Sequence, residues 1–230
     1  MYIVFSGMDG SGKSTQINLL KESQIDKKVK VMWARGGYTP FFKAIKRLIK
    51  LIISLFINKS AKNTNVNLNK KKKLRSRLFQ NDLFVRIWLL ISIFDLGIYL
   101  IIYSRYLRLR GFLVISDRCH VDTQIDFTLR FKKQFNPNGF IWRLFVAIVP
   151  NPDIAYLCLI SPKASIERSK MKNDKYTDSY QHLENRHSLY KTLPLKTDWH
   201  WHELNCTNPI EEIHLEIKNQ INHLYENFNS

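Results

Sequence analysis

The run Gly7-Met8-Asp9-Gly10-Ser11-Gly12-Lys13-Ser14 constrains this chain more than any other stretch of it. It meets G-x-x-x-x-G-K-[ST] at every fixed position, directly after the apolar run Tyr2 to Phe5 and at the opening of a predicted helix from Lys13. A strand, a glycine loop and a helix N-terminus in that order aim backbone N–H groups and the helix dipole at one point, and a polyphosphate is what such a point binds. Gly7, Gly10, Ser11, Gly12, Lys13, Ser14 and Thr15 are therefore the expected triphosphate site. Lys13 reaches the β and γ phosphates and the Ser14 hydroxyl ligates magnesium, so ATP and Mg2+ are the expected cofactors.

The rest of the chain supplies a sheet to carry that loop. Lys30 to Ala34, Phe112 to Ser116, Ile154 to Ile160 and His200 to Leu204 read as further short buried strands, each separated by enough chain for a helix. That alternation predicts right-handed crossovers and an α/β fold, a three-layer P-loop kinase sandwich with a five-stranded parallel sheet flanked by helices. Ser161 before Pro162, and Asn208 before Pro209 with Glu211 following, mark helix starts. With 230 residues and 45% apolar content, a single domain spanning 1–230 is expected.

About eighty residues separate the second and third strands, more than one crossover needs. A helical insertion over about 40–110 fills them, with one helix from Phe41 to Ile57, a mobile Asn- and Lys-rich loop from Asn58 to Lys73, and a long apolar helix from Leu74 to Arg108, with Gly97 as the place for a bend. Neither apolar stretch reads as an integral membrane segment. Leu48 to Ile57 is too short, and Leu83 to Tyr103 carries Arg86 and Asp95. The N-terminus shows no signal-peptide pattern and the three cysteines lack metal or redox spacing, which suits reduced thiols in the cytoplasm.

The formal charge of +17 is local in origin. Twelve Lys and Arg lie between Lys43 and Arg77, with no acid among them. Solvated lysines explain such a run, and so does contact with nucleic acid or a membrane surface, which is not the favoured reading.

Asp117-Arg118 closes the third strand. A carboxylate there lies beside the phosphate loop and holds magnesium or its waters, while Arg118 clamps the migrating phosphoryl group or its acceptor. Asp117, Asp122 and Asp126 recur at five and four residues, so the last two share a helix face if the helix begins near Val121. Two arrangements satisfy this pattern: both carboxylates face a cleft and bind the acceptor, or Asp122 caps the helix and Asp126 is solvated.

Taken together, Phe5 to Thr15, Ser116-Asp117-Arg118, Pro152-Asp153 with the strand after it, Ser161-Pro162 and Glu167-Arg168 resemble the thymidylate kinase family of P-loop nucleotide kinases. The resemblance implies transfer of the ATP γ-phosphoryl group to a small-molecule phosphate acceptor, a nucleoside monophosphate such as dTMP. It places Asp9 near the acceptor, makes Arg35 the arginine that binds the acceptor phosphate, and makes residues of about 163–180 a mobile lid in which Arg168, Lys170, Lys172 and Lys175 neutralise charge in the transition state. It also implies a homodimer through helices beside the sheet, for which the Ile87 to Tyr103 face is available. The departures lie at the acceptor side. Phe94-Asp95-Leu96 is the nearest counterpart of the family's base-binding aromatic, without its arginine, and Cys119 to Asp126 replaces the family's Tyr, Ser and Tyr-Gln signature. A kinase of another small molecule, a sugar or lipid-linked metabolite, remains a second reading.

Overall fold

The computed structural model describes residues 1–23, 28–37, 79–171 and 179–229, together with Thr39 and Arg47. The basic stretch Lys43 to Arg77 lies outside these residues apart from Arg47. So do the expected helix Phe41 to Ile57, the loop Asn58 to Lys73, and the lid residues Lys172 and Lys175.

Five strands, β1 (Tyr2–Gly7), β2 (Val29–Trp33), β3 (Leu113–Asp117), β4 (Ile154–Leu159) and β5 (Trp201–Asn205), form one parallel sheet in the order β2-β3-β1-β4-β5. β1 sits at the centre, every residue of it buried, and takes both neighbours in register, Phe5 opposite Asp117 on one side and Gly7 opposite Cys158 on the other. That pairing brings the end of β3 beside the start of the glycine loop. The edge strands β2 and β5 are largely exposed, each with one buried residue, Met32 and Leu204, whereas β1 and β4 are buried on both faces, as sheet centres covered by helices require.

The helices are α1 (Lys13–Ser23), α2 (Asp82–Gly97), α3 (Ser104–Leu109), α4 (His120–Arg130), α5 (Phe140–Ile148), α6 (Pro162–Met171), α7 (Tyr180–Thr192) and α8 (Ile210–Asn229). The long apolar helix starts later than its hydropathy suggested. Asn81 caps it by accepting a hydrogen bond from the Phe84 N–H at 3.0 Å, with a turn at Phe79-Gln80 before it. A π-helical stretch, Ile98–Tyr103, begins directly after Gly97 and joins α2 to α3. Leu100 within it and Leu107 in α3 are both buried in the core.

Asp82–Leu109 is long and apolar enough to cross a membrane by length and composition, but one face of it is core, with Val85, Leu89, Leu96 and Leu100 buried. Its other face, with α5, leaves Phe94, Ile102 and Leu144 exposed around an apolar groove of about 530 Å³, and Phe140, the first residue of α5, is exposed as well. α5 itself was not legible in the sequence.

Candidate active site

The glycine loop runs from β1 into α1 with three glycines at positive φ: Gly7 at 140°, Gly10 at 79° and Gly12 at 88°. Gly7 has a second constraint, since a Cβ on it would sit 2.1 Å from the Cys158 carbonyl oxygen. Lys13 folds back over the loop. Its ammonium donates to the carbonyls of Gly7 and Met8 at 2.9 and 2.6 Å and to the Ser11 hydroxyl at 3.1 Å. Burial, followed by the neighbouring Arg118, lowers its pKa. Ser14 and Thr15, in the first turn of α1, are exposed.

Asp117 ends β3, near enough to Lys13 and Arg118 for both to draw its pKa down, although burial and the carboxylates of Asp122 and Asp9 leave it raised overall. Ser14 and Asp117 give a solvent-open hydroxyl and a carboxylate, hard oxygen donors of the kind Mg2+ takes together with substrate phosphates. Among the described residues no three His, Cys, Asp or Glu cluster as a protein-only metal site.

Two pockets flank the loop. On one side Gly10, Ser11, Thr15, Arg168 and Asn208 line a space of about 320 Å³. α6 forms its wall: Arg168 donates to the Gly10 carbonyl at 3.2 Å and to the Cys206 carbonyl at 2.8 Å, and Ser165 donates to the Asp9 carbonyl at 2.8 Å. On the other side lies a cleft of about 270 Å³ whose walls include Asp9, Arg35, Trp88, Asp126, Phe127 and Arg186. Trp88 and Phe127 meet edge to face, ring centroids 5.9 Å apart, and give this cleft an aromatic side.

Charge in the cleft is arranged in alternation. Arg35 Nε donates to Asp126 at 2.7 Å, Arg186 pairs with Asp126 and lies 3.8 Å from Asp9, and Arg118 pairs with Asp9 and bonds Asp122 at 3.0 Å. Partial burial works against ionisation of Asp9, but Arg118 above all, then Lys13, Arg186 and Arg35, outweigh it and pull its pKa down to about 2.

No family model matches the chain. Along its length it is 28% identical over 221 residues to the thymidylate kinase of Thermosipho africanus (strain TCF52B), covering 95% of this chain and 96% of that one. The fold matches a deoxyadenosine kinase from M. mycoides with bound dCMP and dCDP at a TM-score of 0.55 and 14% identity, over 97% of this chain and 100% of that one. The same enzyme with bound dATP matches at 0.54 and 15% identity, over 96% and 100%. The chain is thus similar along its length to a thymidylate kinase and shares the P-loop fold of a deoxyadenosine kinase.

Within that P-loop frame, the structure gathers Asp9, Lys13, Arg35, Asp117, Arg118, Asp126 and Arg168 around the loop and its two pockets. Two expectations require correction. Asp122 does not face the cleft beside Asp126; its side chain has no exposure and turns inward to Ser6, Cys119, Arg118 and Tyr190. The helix begins at His120, which puts Asp122 at its third position, where it caps the Cys119 N–H instead of meeting an acceptor. Phe94 is not the acceptor-site aromatic either. It is 69% exposed on the apolar groove, and Asp95 is buried against the Thr39 hydroxyl.

The sequence reading missed Trp88, Arg186 and Tyr190. Trp88 lies six residues before Phe94, roughly one and two-thirds turns away and so on a different face of the same helix, and Leu89 and Ile91 around it look equally like core. Arg186 and Tyr190 stand four apart on α7, and that i, i+4 spacing was the available signal.

Proposed function

We propose that this chain transfers the γ-phosphoryl group of ATP to a nucleoside monophosphate, in the cytoplasm. The reading rests on one observation: a cleft that opens at Asp9 beside the phosphate loop joins an aromatic wall, Trp88 and Phe127, to the convergent guanidinium groups of Arg35 and Arg186. A planar base fits the first and a phosphate the second.

In this reading the triphosphate lies along the amides of Gly10 to Thr15, with its adenosine end in the pocket beneath Arg168. Lys13 leaves its carbonyl contacts for the β and γ oxygens. Ser14 and Asp117 would hold a magnesium ion, which would supply positive charge to offset that of the phosphates. Arg118 stabilises the group in flight, and Asp9 orients the acceptor. Catalysis of this kind is positioning and electrostatics, with no covalent intermediate on the protein. The resemblance to thymidylate kinases also supplies a cover for the apolar groove of α2 and α5, a second copy of the chain.

The test is an ATP-consumption screen over nucleoside monophosphates, nucleosides, sugars and sugar phosphates. Turnover with one or more monophosphates, lost in Lys13→Ala, supports the proposal. Turnover confined to nucleosides or sugars removes it. Nucleosides are the second class to watch, because two solved structures of similar fold are of a deoxyadenosine kinase.

A further inference from the structure

Arg118 is held in an unusual way for an arginine paired with a cleft carboxylate. It is the sole non-glycine residue at positive φ among the described residues, at 80°, a region that L residues with long side chains avoid. Its backbone is fixed at both ends, the N–H donating to the Phe5 carbonyl at 2.8 Å and the carbonyl accepting from the Ser116 hydroxyl at 2.7 Å. The residue is 5% exposed, with Nη2 on Asp9 at the cleft and Nη1 turned inward.

What Nη1 meets is a saturated carboxylate. Oδ1 of Asp122 accepts from Arg118 Nη1 at 3.0 Å and from the Tyr190 hydroxyl at 2.7 Å, while Oδ2 accepts from the Ser6 hydroxyl at 2.8 Å and the Cys119 N–H at 2.9 Å. Nη1 also lies 3.4 Å from the Tyr190 oxygen and 3.4 Å from the Gly7 carbonyl. Burial pushes the Asp122 carboxyl toward neutrality, but Arg118, Lys13 and the two hydroxyls outweigh it, so it stays ionised. Tyr190 is fully buried and belongs to α7, remote in sequence from both partners. A buried charge with every lone pair engaged fixes geometry more than it adds stability.

We propose that Asp122 and Tyr190 form a brace that sets the guanidinium of Arg118 toward the transferring phosphoryl group, and that both are positioning residues of the kinase. This rests on the reading of Arg118 given under Proposed function. Neither side chain touches substrate. They act by denying Arg118 the other rotamers an arginine samples, so that its charge is in place before the reaction starts.

Tyr190→Phe keeps the ring in its buried slot and removes one hydroxyl. With ATP and dTMP as the first acceptor probed, Tyr190→Phe is expected to lower kcat about tenfold, with KM for dTMP and the Kd of a non-hydrolysable ATP analogue within about twofold. In an Arg118→Ala background the same change is expected to cost nothing further. An equal loss in both backgrounds would make Tyr190 an ordinary core residue and overturn the brace. If the wild type turns over no monophosphate, the reading of the activity fails by itself. A crystal structure of Tyr190→Phe then decides the brace separately: Arg118 displaced from the Gly7 carbonyl supports it, and Arg118 unmoved overturns it.

Discussion

Arg186 of α7 pairs with Asp126 of α4 across the mouth of the aromatic cleft, its other nitrogen 3.8 Å from Asp9. An anionic acceptor must compete with those carboxylates for the same guanidinium groups, so Asp126 occupies the electrostatic place of a phosphate. Asp126→Asn is therefore expected to tighten binding of inorganic phosphate, and of the monophosphate the screen identifies, by about tenfold, equivalent to about 1.4 kcal/mol. Isothermal titration checks it. Unchanged or weaker anion binding would mean that Asp126 holds the arginines for the acceptor without competing with it.

The glycines of the loop differ in what they tolerate. Gly7→Ala puts a methyl 2.1 Å from a backbone oxygen that cannot retreat without pulling β4 from the sheet, on top of its φ of 140°. A loss of about 3 kcal/mol or more in urea denaturation is expected. Gly12→Ala meets no atom within 4 Å and suffers only its φ of 88°, for a loss of about 1–2 kcal/mol. Equal losses would contradict the argument from the Cys158 carbonyl.

Trp88→Leu retains an apolar side chain on α2 and deletes the planar face. If that face stacks on a base, KM for the acceptor rises roughly thirtyfold, corresponding to about 2 kcal/mol, while the affinity for ATP hardly moves. A comparable change in both substrates would instead indicate general loosening of the packing among Trp88, Phe127 and Phe131.

His120, at the start of α4, is fully buried edge-on to Trp199, with neither ring nitrogen hydrogen-bonded. Burial lowers its pKa to about 4, against the partial counter-pull of Asp122. The unfolded chain, with a value near 6.5, then binds the proton more readily than the folded one. Stability from this group is complete above about pH 6.5 and is lost as pH falls toward 4, by up to about 3 kcal/mol. In His120→Phe the slope of stability against pH over that window should flatten. An unchanged slope would assign the acid sensitivity to other groups.

The exposed apolar face of α2 and α5 yields a prediction about assembly. Analytical ultracentrifugation is expected to give a dimer, and Phe94→Ser with Phe140→Ser a monomer that keeps its secondary structure. A monomeric wild type would leave the groove without the cover inferred for it.

The donor half of the site was legible because its chemistry is local in sequence. A strand, glycines at fixed spacing, a lysine and a helix N-terminus all fall between Tyr2 and Thr15, and Asp117 follows from strand order in a parallel sheet. The acceptor half is assembled from β2, α2, α4 and α7, so its membership depends on packing that one-dimensional patterns do not encode. Arg186 and Trp88 belong to it for that reason, and beyond the four-residue spacing of Arg186 and Tyr190 nothing near them in sequence announces a cleft. Asp122 shows the converse. Its spacing to Asp126 was read correctly as a shared helix face, yet that face meets the sheet at one residue and the cleft one turn later.

Arg168 closes a mechanical loop that neither pocket has alone. Because the same guanidinium grips the Gly10 carbonyl and the Cys206 carbonyl, a swing of α6 away from the glycine loop must also let go of the turn after β5. In the proposed reading, departure of the spent nucleotide and relaxation of the strand-five turn would therefore be coupled through one side chain.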